Sequence, residues 1–335
     1  MDDFTRRAIQ LGAIASGFVL LWLLAGAFVL LFAGILLAAA ASAMASGLAS
    51  LTRLPRPVTL AAVVLGLPAL LIGGAVLMGP SALGEVNKLR EGLPEALDAA
   101  DRWLREESGL GMSLQELLGD PADAEVPWAS LASYLTVGAG GIIDALLVLF
   151  IGIYLAASPS TYLRGLVRMM PNGARPRVAH ALESAGNGLQ GWLLGQLMSM
   201  TVVGVLTGLG LWLLGMPMAI SLGLLAGVLA FVPFIGPLVF ATIAVLLAFA
   251  QGPMQALYVL LLCVAVQQLE GDVITPMIQR WAVALPPLFS LLSVVVFGML
   301  FGVPGVLVAT PMTVVLMILV EKLYLTDKPP PDAEL

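Results

Sequence analysis

The sequence predicts an all-α polytopic membrane protein with about eight transmembrane helices, two of them broken by Pro and Gly, and a small helical extracytoplasmic insertion. Of the 335 residues, 60% are hydrophobic and 11% are charged, whereas a soluble domain has about 25% charged residues. Many of the 36 Gly and 22 Pro lie inside apolar runs, which membrane helices tolerate because neighbouring helices satisfy the freed backbone groups. These runs do not alternate polar and apolar residues, so a β-barrel is excluded.

The scarcity of Cys and His argues against catalysis. Cys263 is the only cysteine and His180 the only histidine, which excludes an intrachain disulfide and a zinc site built on several thiolates. The sequence contains no HExxH, GxSG or GxGD motif and no phosphate-binding GxxxxGK[ST] motif. We therefore expect no enzyme activity, no cofactor and no metal site.

The N-terminal membrane region, residues 1–79, predicts three spans. Ala8–Leu51 carries no charge and is twice the length of about 20 residues that crosses a bilayer, so it predicts two helices with a turn near Gly26 or near Gly34. A signal peptide is the alternative, but its apolar core has only about 7–15 residues. Val58–Gly79 is also uncharged and predicts the third span.

Residues 80–136 differ from the rest of the chain in charge. They contain eleven acidic and four basic residues, a net charge of −7, while the remaining residues sum to +1. Apolar residues recur every three or four positions, which predicts an amphipathic helix: Leu83, Val86, Leu89, Leu93, Leu97, Ala100 and Leu104. We expect a small acidic helical insertion outside the membrane.

The C-terminal membrane region, residues 137–320, begins with a fourth span and a basic loop. Val137–Ala157 is apolar apart from Asp144 and predicts the fourth span. Residues 158–189 contain four Arg and one His against one Glu, which predicts a cytoplasmic loop with helices on the membrane surface. Trp192–Leu214 predicts the fifth span.

Two overlong uncharged runs follow, at residues 217–250 and 282–320, separated by a short span at 254–269. Proline and glycine interrupt helices, and the interrupting residues are Pro233, Gly236 and Pro237 in the first run and Gly302 and Pro304 in the second. We count each run as one interrupted passage. Both contain the pattern G-x-L-x-x-V-P, a weak signal of an internal repeat whose copies would then run parallel.

Basic residues in the short loops predict the orientation of the chain. With the N-terminus in the cytoplasm, every basic loop lies on the cytoplasmic side: Arg6 and Arg7, Arg53 and Arg56, residues 158–189, and Lys322 with Lys328. The acidic insertion then lies outside and both termini lie in the cytoplasm. Residues 321–335 include three consecutive prolines and predict a disordered tail.

Polar residues within the lipid region are the candidate functional residues, because an ionisable group there costs about 2.5–3.5 kcal/mol on insertion scales. Asp144 is either a candidate coupling carboxylate or an ordinary residue at headgroup level. A polar run ends the seventh span and is followed by a proline: Gln267, Gln268, Glu270 and Asp272, then Pro276. This run either lines a transport path or simply caps a helix. The interrupted helices are a second kind of site, because their free N–H and C=O groups bind ions and polar solutes.

Several segments, taken in order, resemble the autoinducer-2 exporter family of bacterial permeases. They are Gly195-Gln196-Leu197, Gly208–Gly215, Pro233–Pro237, Gln267–Pro276, Phe301–Gly305 and Ala309-Thr310-Pro311. The resemblance implies about eight membrane helices, a bacterial plasma (inner) membrane location and self-association as a homo-oligomer. It also implies export of small polar signalling molecules for some members and sodium/proton exchange for others. Gly271 replaces the Asn that is usual in the family at this position.

These observations together predict a secondary transporter, a permease that exports a small polar solute such as a signalling molecule and is driven by a gradient. The transport path would include the residues of the two breaks and the polar run that ends the seventh span. One alternative is an antiporter of a monovalent cation, sodium, and protons. The other is a non-transporting membrane scaffold that uses the acidic insertion as its contact surface. The expected partners are the lipid bilayer, a small polar solute or monovalent ion and further copies of the chain, with no nucleic acid.

Overall fold

A computed structural model describes residues 24–66, 98–99, 101–103, 105, 139–279 and 285–325, and the regular structure in these residues is helical. The all-α prediction is therefore confirmed for the described part of the chain. The longer helices are α1 (Ala25–Thr52), α2 (Arg56–Gly66), α3 (Ala139–Ala157), α4 (Pro159–Arg168), α5 (Arg175–Leu213), α6 (Ala219–Leu229), α7 (Ile235–Phe249), α8 (Pro253–Leu269), α9 (Thr275–Gln279) and α10 (Pro287–Val320).

By length and apolarity, four stretches of the described residues are candidate membrane spans, and the bent pair of α3 and α4 is a fifth. The four stretches contain α1, α5, α8 and α10. Helix α1 is continuous from Ala25 to Thr52, so the alternative turn near Gly34 is wrong, while the turn near Gly26 stays a prediction. The first predicted span, the end of the third and most of the insertion lie outside the described residues.

Helices α1 and α3 pack side by side in the same direction. A Cβ on Gly34 would collide with Ile151 of α3, and one on Gly152 would lie 2.8 Å from Leu37 of α1. Small residues allow this close approach, as in many membrane helix pairs. Farther along both helices, Ala45 and Ala156 belong to one apolar cluster with α2, so α1 and α3 end on the same side of the membrane.

The basic segment contains one helix on its own and the beginning of another. Helix α4 follows α3 after Ser158 and is bent 87° from it, which agrees with a helix lying on the membrane surface. Helix α5 then runs for 39 residues from Arg175. The basic loop and the predicted span from Trp192 are therefore joined in one continuous helix. At about 1.5 Å per residue this helix is longer than a bilayer of about 30 Å, so a span that begins at Trp192 stays a prediction.

The run at residues 217–250 folds back on itself as a hairpin, which we call the first hairpin (α6, residues 230–234 and α7). At its open end, the Gln251 side-chain amide lies 3.2 Å from the Met216 sulfur, and Gln255 donates to the Leu214 carbonyl at 2.6 Å. The first hairpin therefore starts and ends on the same side. The interpretation of this run as a single passage is wrong.

Glycines hold the first arm of this hairpin against α5. A Cβ on Gly223 would lie 2.5 Å from the Gly208 Cα, and one on Gly227 would lie 2.7 Å from the Met200 carbonyl oxygen. The two helices therefore touch through their backbones, in the small-xxx-small manner of membrane helix pairs. Side chains at these positions would force the helices apart.

The run at residues 282–320 also reverses direction, and we call it the second hairpin (the two halves of α10, which meet at Gly302). Gly302 has φ 65° and ψ −149°, outside the helical region. A Cβ on Gly305 would collide with the Phe297 carbonyl, and one on Gly298 would lie 3.0 Å from Val306. Residues eight apart in a straight helix are separated by about 12 Å, so these contacts require a reversal, and the single-passage interpretation is wrong here too.

Each passage that is replaced by a hairpin moves all later residues to the other side of the membrane. Because two passages are replaced, the predicted side of the C-terminal segment does not change. The C-terminal segment returns to the side where α5 begins, and Arg177 donates to the Lys322 carbonyl at 3.2 Å. The two G-x-L-x-x-V-P copies lie in arms that run in opposite directions. The expectation of parallel copies is therefore wrong.

A short helical part of the insertion lies at the open end of the first hairpin. The Trp103 ring centroid lies 5.8 Å from that of Phe249, at the end of α7. Helical conformation at residues 98–99 and 101–103 agrees with the amphipathic helix predicted there. The insertion and the open end of the first hairpin therefore share one side of the membrane.

Candidate functional site

Two polar side chains on α5 define the candidate site. Gln196 donates from its amide to the Ala230 carbonyl at the tip of the first hairpin, at 2.8 Å. One turn farther along the same helix, the buried Ser199 hydroxyl donates to Glu270 Oε1 at 2.8 Å. A residue and the third one after it lie on the same face of a helix, so α5 joins the hairpin tip and the carboxylate.

Glu270 follows α8 directly and opens a π-helical turn, Glu270–Ile274. Its side chain is half-buried and also lies near the Gln267 amide, with 3.4 Å between Nε2 and Oε2. Short π-helical segments frequently occur at functional sites. Helix α8 brings Glu270 to the level of Ser199 because it runs antiparallel to α5 from Gln255 beside Leu214.

The tip of the first hairpin holds an unusual backbone turn. The Ile235 N–H donates to the Pro233 carbonyl at 2.7 Å, across Phe234 with φ 65° and ψ −55°. This three-residue turn with positive φ is rare and strained. Gly236 follows, buried against the Leu229 carbonyl, and Pro237 is half-buried in the first turn of α7. Strain of this kind clusters at ligand sites.

The structure brings together only some of the predicted residues. Glu270 and the Pro233–Pro237 tip are both tied to the same face of α5. The neighbouring predicted residues are exposed at the end of α8 and beyond it: Gln267, Gln268, Asp272 and Pro276. Asp144 lies exposed on α3, a helix that packs against α1 and α4. The structure ties Glu270 to α5, and within the described residues it gives Asp144 no contact with that site.

The tip of the second hairpin has apolar surroundings. Gly302 is exposed and Pro304 half-buried, while the adjacent Phe301 packs on a cluster with Val29 and Phe32 of α1. This tip is therefore held by apolar contacts, whereas the first tip has a hydrogen bond in addition to the packing of Phe231 on Trp192 of α5.

Sequence reasoning missed the role of Gln196 and Ser199. Gln196 entered only as part of the resemblance, and Ser199 was not singled out. A signal was present, since two polar residues three apart within an apolar span are costly in lipid and are expected to face polar partners. Within the described residues, no group of three or more His, Cys, Asp or Glu side chains is placed to hold a metal ion.

Comparison with known proteins gives the family. Residues 11–325 match the family described as AI-2E family transporter. The chain belongs to the AI-2E transporter family. It is thus a multi-pass membrane protein of a bacterial transporter family and not an enzyme, as the resemblance predicted.

Individual AI-2E relatives are distant. The chain is 27% identical over 255 residues to the "AI-2 transport protein TqsA" of Escherichia coli, an alignment covering 72% of the chain and 71% of TqsA. It is 29% identical over 258 residues to the "Putative transport protein MT0215" of Mycobacterium tuberculosis, covering 72% and 70%. With YrrI of Bacillus subtilis, also named a putative transport protein, it is 29% identical over 151 residues, and the chain spans less than half (43%) of YrrI.

Proposed function

We propose that this AI-2E protein is a secondary transporter that exports a small polar solute, driven by a gradient, through a site between the tip of the first hairpin and Glu270. The observation that carries the proposal is the Ser199–Glu270 hydrogen bond, one turn from the bond that holds the hairpin tip. Carboxylates at membrane depth mark substrate and ion pathways. Broken helices supply the free backbone groups that bind polar solutes in transporters.

The cargo we propose is a small polar signalling molecule of the AI-2 type. The support is the name of the E. coli relative, the AI-2 transport protein TqsA, and the similarity that covers 71% of that protein. Pro233, Gly236 and Pro237 would shape the cargo site, with Gly302 and Pro304 of the second hairpin on the same path. Gln267, Gln268, Asp272 and Pro276 would line its exposed end.

The antiporter of sodium and protons is the second candidate, and one observation favours it. Glu270 is a half-buried carboxylate that contacts α5 through Ser199, and carboxylates within membrane segments mark ion pathways and proton relays. We assign the coupling role to Glu270 because Asp144 lies on a different part of the fold. Cytoplasmic termini and self-association as a homo-oligomer remain predictions of the same proposal.

The test is AI-2 transport by the purified full-length protein in proteoliposomes. We expect Glu270→Gln to lower the transport rate by about tenfold or more, the equivalent of about 1.4 kcal/mol. The matched control is Glu183→Gln, an exposed carboxylate on α5 that lies outside the proposed path, which we expect to change the rate by less than about twofold. Equal rates for the wild type and Glu270→Gln would remove Glu270 from the site.

A pH-sensitive dye inside the same vesicles, under a sodium gradient, separates the candidates. Sodium-dependent proton movement without AI-2 transport, lost in Glu270→Gln, would put the antiporter in place of the exporter. No movement of AI-2, sodium or protons by the wild type would overturn both and support the scaffold.

A further inference from the structure

Helix α4 has two chemically different faces. The apolar side chains of α4 fall on one side of the helix: Tyr162, Leu163, Leu166 and Val167. Met169 and Met170 follow directly after its end. Arg164 and Arg168 are four apart and lie on the opposite side, together with Ser160. This separation is the pattern of helices that lie in a membrane interface.

The apolar face of α4 is largely uncovered by the described residues, with Val167 alone half-buried on it. None of the residues of this helix is buried, and Leu166 and Met169 are 51% and 78% exposed. The helix nevertheless has a fixed direction, since it begins after Ser158 and is bent 87° from the spanning helix α3. A helix perpendicular to a membrane span lies along the membrane surface, so lipid is the medium that this face meets.

The end of α4 is fastened by a basic side chain of the next helix. Arg175 donates from Nε to the Met170 carbonyl and from Nη2 to the Arg168 carbonyl, both at 3.1 Å. A cation at the carbonyl end of a helix stabilises it. Arg164 bonds to the Ser160 carbonyl of its own helix at 3.0 Å and is exposed, as is Arg168.

The protein surface on the side of the membrane where α4 lies is positively charged. Residues 158–189 contain four Arg and a single Glu, and the exposed Arg53 and Arg56 lie at the ends of α1 and α2 on the same side. Clusters of Lys and Arg beside a cytoplasmic membrane surface attract anionic lipids. The positive charge and the exposed apolar face of α4 therefore both fit an anionic lipid surface.

We propose that α4 is an interfacial helix that binds the headgroups of anionic phospholipids through Arg164 and Arg168 while its apolar face rests in the acyl layer. Each arginine near an anionic surface increases binding by about fivefold. The loss of both is therefore expected to weaken binding by about 25-fold.

The test titrates the purified full-length protein, in detergent, with short-chain phosphatidylglycerol or with phosphatidylcholine of the same chain length, and measures binding by calorimetry. We expect the wild type to prefer phosphatidylglycerol, and the double variant Arg164→Gln/Arg168→Gln to lose most of that preference. The double variant Arg164→Lys/Arg168→Lys keeps the charge and is expected to keep the preference. The control is Arg102→Gln/Arg105→Gln in the insertion, which is expected to bind like the wild type.

Three results would overturn the proposal. One is equal binding of the two lipids by the wild type, and another is unchanged phosphatidylglycerol binding after Arg164→Gln/Arg168→Gln. The third concerns the apolar face: if Leu166→Ser changes the oligomeric mass by native mass spectrometry and leaves lipid binding unchanged, the face contacts a second copy of the chain. The readout is lipid binding and not transport, so the result stands apart from the proposed function.

Discussion

The first and second hairpins are built alike and held differently. Each consists of two apolar arms joined by a break that contains a proline, and in each a glycine after the break sits against a carbonyl of the first arm, Gly236 on Leu229 and Gly305 on Phe297. The first tip is tied to α5 by a hydrogen bond to Ala230. The second tip rests on apolar side chains of α1.

The difference is that the first tip has a polar contact in addition to the packing of Phe231 on Trp192. The first tip carries a strained turn at Phe234, a non-glycine residue with positive φ, and lies one turn of α5 away from Glu270. The second tip turns at Gly302, where glycine adopts the conformation without a steric cost. We infer that solute contacts concentrate at the first hairpin, with the tip of the second hairpin at the edge of the same path.

The largest expected effect comes from the packing of the first hairpin on α5. Gly223→Leu would place a side chain where a Cβ already lies 2.5 Å from the Gly208 Cα, and overpacking of this kind costs about 1–3 kcal/mol, occasionally more. We expect a lower melting temperature and loss of the monodisperse peak in detergent chromatography. Gly186→Leu is the control, because Gly186 on α5 has nothing within 4 Å of its Cβ position. Equal behaviour of the two variants would show that the hairpin is not packed as described.

The next prediction compares the loss of a hydrogen bond at the tip of the first hairpin with the loss of one at its open end. Gln196→Leu removes the bond to the Ala230 carbonyl, and Gln255→Leu removes the same kind of bond to the Leu214 carbonyl. Each loss costs about 1–3 kcal/mol if the carbonyl stays unsatisfied, so the two melting temperatures should fall alike. Transport in proteoliposomes should fall only in Gln196→Leu. A comparable loss of transport in Gln255→Leu would mean that the tip is not special.

The smallest effect compares the two breaks. Gly302→Ala puts a side chain at φ 65° and ψ −149°, a region that is nearly restricted to glycine and costs about 1–3 kcal/mol for other residues. Phe234→Gly instead relieves strain at φ 65°, so its melting temperature should stay level or rise slightly. Thermal unfolding of both variants in detergent is the measurement. A greater loss in Phe234→Gly than in Gly302→Ala would reverse our assignment of strain to the first tip.

Much of the fold could be predicted from composition and local pattern. Helical spans, the break after Ala230 and the break at Gly302 follow from long apolar runs and from proline and glycine within them. The continuity of α5 could not be predicted, because the basic segment and the predicted span join without a change of backbone conformation. Nothing in the local sequence distinguishes a helix that leaves a surface from one that ends there.

The candidate site was predictable in part. The polar run around Glu270 and the proline tip at Pro233 were both singled out, because charged groups and helix breakers are unusual in lipid. Their meeting on α5 was not predictable, since Gln196 and Ser199 lie about 34 and 71 residues from their partners. Contacts over such separations depend on how helices pack.

By itself, the sequence determined that this chain is an all-helical membrane protein, where its helices are interrupted and which family it belongs to, because apolar length, charge and helix breakers act locally. Only the tertiary structure decided that both interrupted runs are hairpins rather than passages. A proline or glycine break permits either a bend or a full reversal, and the choice comes from packing, here from Gly223 against Gly208 and from Gly305 against Phe297. The backbones can approach that closely only where the side chains are absent.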